Sequence, residues 1–205
     1  MKAEHLEILV EEPSMEAFLQ ELLPRLLADR ASYQTYVYQG KQDLLSKLES
    51  RLHGYADWIP EHWRIVVLVD RDDDSCEELK QTMETAAERA GLETRTRAGG
   101  PVWQVVNRIA VEELEAWYFG DWNAVCEEYP DVPAGIPRKS PYRDCDAIAG
   151  GTWEALERIL QRAGYFAGGL RKIELARAIG SRIDPGANTS GSFCTFRDAL
   201  LEAVA

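Results

Sequence analysis

Carboxylates crowd the end of one apolar segment of the chain. The stretch VVLVDRDDD, residues 66–74, passes from four apolar residues to Asp70 and Asp72, with Asp73 and Asp74 directly after them. Side chains two apart in an extended segment point the same way, so Asp70 and Asp72 can share one ion. A divalent cation relieves the repulsion between them, and Mg²⁺ and Mn²⁺ prefer oxygen ligands. The pattern indicates a Mg²⁺ or Mn²⁺ site, whereas Asp73 and Asp74 fit helix-capping or solvated positions better.

Two further acidic segments could contribute to the same chemistry. Glu11 and Glu12 follow the apolar run ILV, and Glu115 lies between apolar neighbours such as Leu114 and Trp117. Such neighbours favour partial burial of Glu115, and a buried charge needs a partner. Each feature also has a plain structural explanation, because acidic residues commonly begin helices and suit the helix dipole there. The residues alone leave both explanations open.

The elements that must position these acids follow from the spacing of apolar residues. Strands are predicted at residues 5–12, 33–39, 63–70 and 92–98, with a strand or a strand plus a bend at 102–111. Helices are predicted at residues 14–30, 41–55, 75–91, 112–129, 151–165, 170–183 and 195–205. Ser14 is the expected N-cap of the first helix, Pro24 is expected to kink or break that helix, and Gly91 is expected to close the third one.

Strands and helices alternate repeatedly before residue 100, which predicts an α/β fold with a mainly parallel sheet flanked by helices. The Pro- and Gly-rich stretch at residues 129–141 marks a loop or a boundary. We therefore predict an α/β domain at residues 1–125 and a helical C-terminal extension at residues 126–205 that packs on it. In open sheets of this kind, ligands bind at the carboxyl ends of the strands, where Glu11 and Asp70 are expected.

Charge and hydropathy exclude several classes of protein. The net charge is −12, which argues against a protein that coats nucleic acid alone. Between Arg138 and Arg182, however, nine basic residues face five acidic ones, so the C-terminal third could meet a polyanion. No apolar run approaches the ~20 residues that span a bilayer, so no membrane association is expected. The N-terminus has an acidic residue before any apolar run, unlike a secretion signal, and a cytoplasmic location is expected.

The order of these motifs resembles a known pattern. ILVEEPSMEAFLQELLPRLL followed by VVLVDRDDD resembles Toprim proteins, in which a strand-end glutamate precedes a strand-end DxD at the magnesium site of topoisomerases, primases and overcoming-lysogenization-defect nucleases. The segments YQGKQDLLSKL, NRIAVEELEAWYFGD and NTSGSFCTFRDAL add a closer resemblance to the bacterial Toprim-like family catalogued as domain of unknown function 4276. This resemblance covers nearly the whole chain and implies a Toprim-like, Rossmann-like fold.

The resemblance assigns roles to individual residues. Glu11 matches the Toprim glutamate, and Asp70 and Asp72 match DxD; these three are the predicted catalytic residues. The predicted metal ligands are Glu11, Glu16, Asp70, Asp72 and Glu115. One departure concerns the position after the glutamate, where Toprim sequences usually have Gly and this chain has Glu12. Pro13 follows and disfavours helical geometry at Glu12, so either Glu12 is an added ligand or the turn is reshaped.

The leading functional hypothesis is Mg²⁺- or Mn²⁺-dependent phosphodiester hydrolysis of DNA or RNA. Glu11 would act as a ligand or as the general base for the attacking water. Flanking phosphates require basic or hydroxyl groups. The candidate substrate-binding residues are Lys41, Arg108, Lys139, Lys172, Ser190 and Ser192. The serines belong to the Gly- and Ser-rich stretch NTSGSF, which could bind phosphate through backbone N–H groups or could simply precede the last helix.

Other hypotheses remain open at this stage. The chain could be a catalytically inactive Toprim-like module that serves as a regulatory or partner-binding subunit. It could also be a phosphatase or nucleotide hydrolase that acts on small substrates, which the acidic surface would suit. The resemblance to Toprim nucleases of phage defence suggests an ATPase as a partner protein, and the sequence leaves a homo-oligomer open.

Overall fold

Four parallel strands form the sheet at the centre of the protein. In the computed structural model, which describes residues 2–100 and 102–205, the strand order is β2-β1-β3-β4. The strands are β1 (His5–Val10), β2 (Ser32–Val37), β3 (Trp63–Asp70) and β4 (Val105–Ala110). Continuous apolar runs make β1 and β3 the buried central pair, and Val10 lies beside Leu68 in the register. The predicted α/β class with a Rossmann-like parallel sheet is confirmed.

The first three helices lie on both faces of this sheet. They are α1 (Pro13–Leu27), α2 (Lys41–Ala56) and α3 (Cys76–Arg89). Helices α2 and α3 cover one face, where Leu48 and Met83 pack with Val67 of β3. Helix α1 covers the other face, where Phe18 packs with Leu68, the neighbour of Val67 whose side chain points to the opposite face of the sheet. The sheet is therefore shielded on both sides, and its strand ends are left for the connecting loops.

Five further helices complete the face that α1 covers. They are α4 (Glu115–Gly120), α5 (Trp122–Glu128), α6 (Thr152–Arg162), α7 (Lys172–Gly180) and α8 (Gly191–Ala203), with short 3₁₀ turns at Ile136–Arg138 and Ser140–Tyr142. One apolar cluster extends from Ala3 to Val204 and includes residues of all these helices. Within residues 2–100 and 102–205, none of the helices is long and apolar enough to cross a membrane.

Several predicted boundaries are wrong, for identifiable reasons. The N-cap of α1 is Glu12, in an extended conformation, and not Ser14 as predicted. Pro13 occupies the first helical position, so Ser14 lies inside the helix. Of the kink or break expected at Pro24, the break does not occur, since α1 continues to Leu27. Residues 92–98 are not a strand. They form turns and a single bridge from Thr94 to Val105, because only this point of the segment reaches the edge of β4.

Two other helix ends show how the chain changes direction. The helix predicted at residues 112–129 is two short helices that meet at Asp121, whose carboxylate accepts a hydrogen bond from the backbone N–H of Asp184 at 2.8 Å. Gly91 closes α3 as predicted, with φ +74. Its N–H donates to the Glu88 carbonyl at 2.9 Å, and the Leu92 N–H donates to the Ala87 carbonyl at 3.0 Å, which is the Schellman pattern.

A close approach between α1 and α7 sets the position of α7 on the sheet. A Cβ atom added to Gly180 would lie 2.9 Å from the carbonyl oxygen of Phe18 and 3.2 Å from its ring. Arg25 of α1 reinforces this contact, because its Nη1 donates to the carbonyl of Ile183 at 2.8 Å. This packing fixes α7, whose first residue is Lys172.

Gly180→Ala should therefore destabilise the protein, by about 1–2 kcal/mol, because the added methyl group meets backbone that cannot move freely. Gly54→Ala is the matched control: Gly54 lies inside α2, nothing lies within 4 Å of its added Cβ, and the change should stabilise the protein by about 0.5–1 kcal/mol. Urea unfolding of both variants measures the contrast. Equal stabilisation by the two alanines would contradict the α1–α7 contact.

Candidate functional site

Glu11 and Asp70 meet at the point where the strand order reverses. From β1, the chain reaches β2 on one side of the sheet, and β3 lies on the other side of β1. A crevice therefore opens between the carboxyl ends of β1 and β3, which is where open α/β sheets bind ligands. Glu11 directly follows β1, and Asp70 is the last residue of β3. The backbone N–H of Asp70 donates to Glu11 Oε1 at 3.2 Å.

Each of these two carboxylates keeps one buried oxygen without a donor. The exposed fractions of Glu11 and Asp70 are only 6% and 5%. Among the described residues, neither Glu11 Oε2 nor Asp70 Oδ1 has a hydrogen-bond partner. Burial, together with the charge of Asp72, raises the pKa of Glu11 to about 7. Burial and the neighbouring carboxylates of Glu11 and Glu115 raise the pKa of Asp70 well above its usual value. The pair therefore holds a proton or needs an added cation at neutral pH.

Glu115 adds a third buried carboxyl group on the same side of the sheet. It is the first residue of α4 and only 2% exposed. Burial raises its pKa to about 8; the carboxylate of Glu113 adds to the rise, and Lys172 opposes it. Tyr118, one helical turn later, is also buried, and its pKa is raised well above the usual value by burial and by the charges of Glu115 and Asp70. Tyr118 was not among the residues predicted from the sequence, although its spacing of three from Glu115 puts both on one helix face.

Lys172 brings the positive charge of α7 toward these carboxylates. Its Nζ lies 3.9 Å from Glu12 Oε2 and 4.6 Å from the centroid of the Trp153 ring. Burial lowers the pKa of Lys172, but the charges of Glu115, Glu12 and other nearby carboxylates outweigh that effect and leave it raised. The ammonium group is thus charged at neutral pH, and a predicted substrate-binding residue lies beside the predicted metal ligands.

Asp72 is held by a lysine. Asp70 and Asp72 were expected to lie in one extended segment and to point the same way. The strand ends at Asp70, however, and Asp72 adopts the left-handed conformation with φ +49. Its Oδ2 accepts a hydrogen bond from Lys41 Nζ at 2.7 Å. The same ammonium group lies 2.6 Å from Asp74 Oδ2 and donates to the carbonyl of Arg71 at 2.9 Å. Lys41, predicted to bind substrate, therefore fastens the loop after β3.

The loops after β3 and β4 are bound to each other. The backbone N–H of Arg71 donates to the carbonyl of Ala110 at 2.9 Å, and that of Asp72 donates to the carbonyl of Glu112 at 2.8 Å. Arg71 also forms an ion pair with Glu112, which is itself left-handed at φ +64. Two non-glycine residues with positive φ thus lie side by side next to the carboxylates, and such conformations concentrate at functional sites.

In the part of the chain that the structure describes, Glu16 and Lys139 form no hydrogen bond or ion pair with Glu11 or Asp70. Glu16 Oε1 accepts a hydrogen bond from the Thr35 hydroxyl of β2 at 2.7 Å. Across residues 2–100 and 102–205, no hydrogen bond or ion pair joins Glu16 to Glu11, Asp70 or Glu115. Lys139 is exposed between the two 3₁₀ turns and borders a small pocket that includes Asp131 and Arg162. The structure therefore gives neither residue a direct contact with the pair.

Ser190 and Ser192 bind a carboxylate of the protein itself. The Ser190 hydroxyl donates to Asp146 Oδ1 at 2.7 Å, and the Ser192 N–H donates to Asp146 Oδ2 at 3.1 Å. Ser190 is also the N-cap of α8, because its Oγ accepts a hydrogen bond from the Phe193 N–H at 3.1 Å. Asp146 thus occupies the start of α8, where the sequence suggested a phosphate. No local pattern pointed to Asp146, which lies more than forty residues earlier in the chain.

Arg108, the remaining predicted substrate-binding residue, lies in β4 level with Leu68, two residues before the position paired with Asp70. The charged groups that perturb its pKa are Arg95, Glu202 and Glu84. None of these is a predicted metal ligand. Arg108 therefore belongs to a different part of the sheet edge from the acidic pair.

The crevice offers two free carboxylate oxygens as ligands for a divalent cation. In the part of the chain that the structure describes, no group of three or more His, Cys, Asp and Glu residues is arranged to hold a metal ion. Mg²⁺, however, keeps several waters and commonly uses one or two carboxylates plus substrate phosphates. Glu11 Oε2 and Asp70 Oδ1, both buried and without donors, supply that smaller set. The residues therefore fit a hard, partly hydrated cation and do not fit a fully protein-enclosed metal.

Fold and crevice together define an α/β protein with an acidic pair at the switch point of a parallel sheet. The family model described as "Domain of unknown function (DUF4276)" matches residues 10–201, and the chain belongs to this family. None of the curated proteins and none of the solved structures compared with the chain matches it. The predicted family is confirmed, and the relation to Toprim proteins stays a prediction.

The raised pKa values of the buried carboxyls predict how stability depends on pH without divalent cations. A carboxyl whose pKa is higher in the folded protein favours folding at low pH, and that contribution is lost as the pH rises through the folded pKa. For Glu115 the window runs from its ordinary value of 4.5 to about 8. We expect Glu115→Gln to reduce the loss of unfolding free energy between about pH 5 and pH 8 by roughly 2–4 kcal/mol.

Urea unfolding in the presence of a chelator measures this difference. Glu127→Gln is the control, because Glu127 is exposed on α5 and the substitution removes the same charge. An identical pH dependence for wild type and Glu115→Gln would contradict the burial of an uncompensated carboxyl at this position.

Proposed function

We propose that the protein is a Toprim-type phosphodiester hydrolase that acts on DNA or RNA with Mg²⁺ or Mn²⁺. The observation that carries the proposal is the pair of donorless oxygens, Glu11 Oε2 and Asp70 Oδ1, at the switch point of the sheet. The order of the motifs agrees with it, since the strand-end glutamate and the strand-end aspartate that resemble Toprim proteins are the two residues in contact. Two buried carboxylates without donors are costly unless a ligand meets them.

Glu11 and Asp70 are the proposed metal ligands, and Glu115 is the third carboxyl that could complete the set. A divalent cation at this point would neutralise charge on a phosphate oxygen and polarise the attacking water. Asp72 is a less direct participant, because its carboxylate is already paired with Lys41. Its proposed contribution is to keep the loop after β3 in place, so that the side chain of Asp70 remains in the crevice.

The remaining residues bind and orient the substrate in this proposal. Lys172 carries a charged ammonium group beside the carboxylates and would bind a phosphate oxygen on the open side of the crevice. When Glu11 Oε2 is not bound to the cation, it can instead accept the proton of the attacking water, since no donor occupies it. Lys41 would act by holding the loop rather than by contacting the substrate, because four oxygens of that loop already surround its Nζ.

The wider setting of this activity follows from the resemblance to Toprim nucleases. We extend the proposal to a cytoplasmic enzyme of phage defence that works with an ATPase partner. The uneven charge supports a nucleic acid as substrate, because basic residues are concentrated in the chain segment that includes Lys172, while the chain as a whole is acidic. The acidic remainder would disfavour non-specific coating of the substrate.

A second candidate is an inactive Toprim-like module that serves as a regulatory or partner-binding subunit and does not cleave phosphodiesters. The pairing of Asp72 with Lys41 favours this reading, because it leaves DxD with only one unpaired carboxylate. The presence of Glu12 where Toprim sequences usually have Gly favours it too. Absence of Mg²⁺ and Mn²⁺ binding in a calorimetric titration would favour this candidate, and cleavage would exclude it.

Mn²⁺-dependent nicking of supercoiled DNA, with a labelled single-stranded RNA as a second substrate, tests the leading proposal. We expect Glu11→Gln and Asp70→Asn to lower the cleavage rate by roughly 10²–10⁴-fold, because each removes a ligand or the base. Asp73→Asn is the control, since Asp73 is an exposed neighbour outside the proposed ligand set. Full activity of Asp70→Asn, or inactivity of the wild type on both substrates with Mn²⁺, would contradict the proposal.

Cation binding can be measured independently of cleavage. Mn²⁺ should raise the melting temperature of the wild type at about pH 8 by roughly 2–4 °C near saturation. Glu11→Gln should abolish this rise and Asp73→Asn should preserve it. Calorimetric titration with Mg²⁺ gives the same comparison at equilibrium. A rise that persists in Glu11→Gln would place the cation elsewhere in the protein.

A further inference from the structure

The open edge of β4 borders a groove that the acidic crevice does not include. Among residues 2–100 and 102–205, strand β4 pairs with β3 on one side only, and the bridge at Val105 covers just the start of its other side. A groove of about 460 Å³ follows the uncovered part, between α3 and α8. Its lining includes Lys80, Arg108, Ile109, Val111, Asp146 and Thr195. This volume lies within the range of about 300–1,000 Å³ that is usual for small-ligand sites.

Arg108 is a buried cation without a matching anion in this groove. It is 8% exposed, and its Nη1 donates to the carbonyl of Asn107 at 3.0 Å. Its Nε and Nη2 have no hydrogen-bond partner among residues 2–100 and 102–205. Burial, and next the charge of Arg95, lower its pKa to about 10, so the guanidinium remains charged at neutral pH. An uncompensated buried charge of this kind is costly, and native proteins seldom keep one without a ligand or a function.

The carboxylates around Arg108 are already engaged by other groups. Glu84 is paired with Lys80 at 2.9 Å and accepts a hydrogen bond from Asn107. Glu202 forms an ion pair with Arg95. Asp146 is satisfied by Ser190 and Ser192 at the start of α8. Each neighbouring acid therefore has its own donors, and none forms a hydrogen bond with the free nitrogens of Arg108.

We propose that Arg108 binds a phosphate-sized oxyanion carried by a small molecule in this groove. The free Nε and Nη2 lie on the same side of the planar guanidinium and can donate two parallel hydrogen bonds to two oxygens of one anion. Lys80 and Thr195 also line the groove, but the Lys80 ammonium is paired with Glu84 and the Thr195 hydroxyl donates to the Gly191 carbonyl at 2.8 Å, so the free donors among the described residues are those of Arg108. Ile109 and Val111 offer apolar surface for the rest of the ligand. The site is separate from the Glu11–Asp70 crevice and needs no divalent cation.

Anion binding is tested on the full chain in the presence of a chelator, so that the acidic crevice does not contribute. The probes are inorganic phosphate, acetate and a 5′-phosphorylated dinucleotide. At about 10 mM, inorganic phosphate should raise the melting temperature by roughly 2–4 °C. A larger effect of the dinucleotide than of inorganic phosphate would support a phosphate monoester as the ligand, and a larger effect of acetate than of inorganic phosphate would overturn the proposal of a phosphate-sized oxyanion. A melting temperature unchanged by all three probes would overturn the proposal.

Two substitutions separate a binding role from a structural role of Arg108. Arg108→Met should abolish the response to the anions and raise the melting temperature of the free protein, because it removes an unpaired buried charge. Arg158→Met is the matched control: it removes the same charge from the exposed surface of α6 and should keep the response. A retained anion response in Arg108→Met would overturn the proposal.

A third variant keeps the test decisive if Arg108→Met does not fold. Thr195 is exposed on α8 and lines the groove, so Thr195→Glu places a carboxylate within it without disturbing the core. This variant should melt at a higher temperature than the wild type and should no longer respond to phosphate. An unchanged phosphate response in Thr195→Glu would contradict an anion site at Arg108.

Discussion

Electrostatic repulsion between Glu11 and Asp70, buried side by side at the ends of β1 and β3, is the constraint on which the rest of the site depends. The parallel sheet forces these ends together because β1 and β3 are its two central strands. Burial strengthens the repulsion by removing water. The charge of Lys41 relieves it only in part, and no hydrogen bond within the described residues reaches Glu11 Oε2 or Asp70 Oδ1. At neutral pH the crevice therefore either keeps a proton on these carboxyls or binds a cation.

The surrounding loops keep this arrangement rigid. Lys41 binds the loop after β3 through Asp72, Asp74 and two carbonyl groups, and the loops after β3 and β4 are joined by backbone hydrogen bonds. From the other side, the close packing of α1 and α7 determines where Lys172 meets the carboxylates. Rigid support of this kind is what a cation site requires, because ligand oxygens must keep their geometry before the ion arrives.

The sequence predicted the sheet and the meeting of Glu11 with Asp70, because both follow from long apolar runs and from a general rule about strand ends. It did not predict the pairing of Asp72 with Lys41, since the left-handed conformation of Asp72 ends the alternation of side chains on which that expectation depended. The contact of Asp146 with the start of α8 and the lack of partners among the described residues for Arg108 Nε and Nη2 could not be predicted from the sequence either. Both depend on residues far apart in the chain, and no local spacing records them.

The most direct test of the account is the position of Mn²⁺ in a crystal of the protein soaked in MnCl₂, read from anomalous scattering. The account predicts a peak about 2.0–2.3 Å from Glu11 Oε2 and from Asp70 Oδ1, with water completing the coordination. If Mn²⁺ binds at full occupancy elsewhere in the crystal and no anomalous peak lies in this crevice, the proposed cation site is wrong.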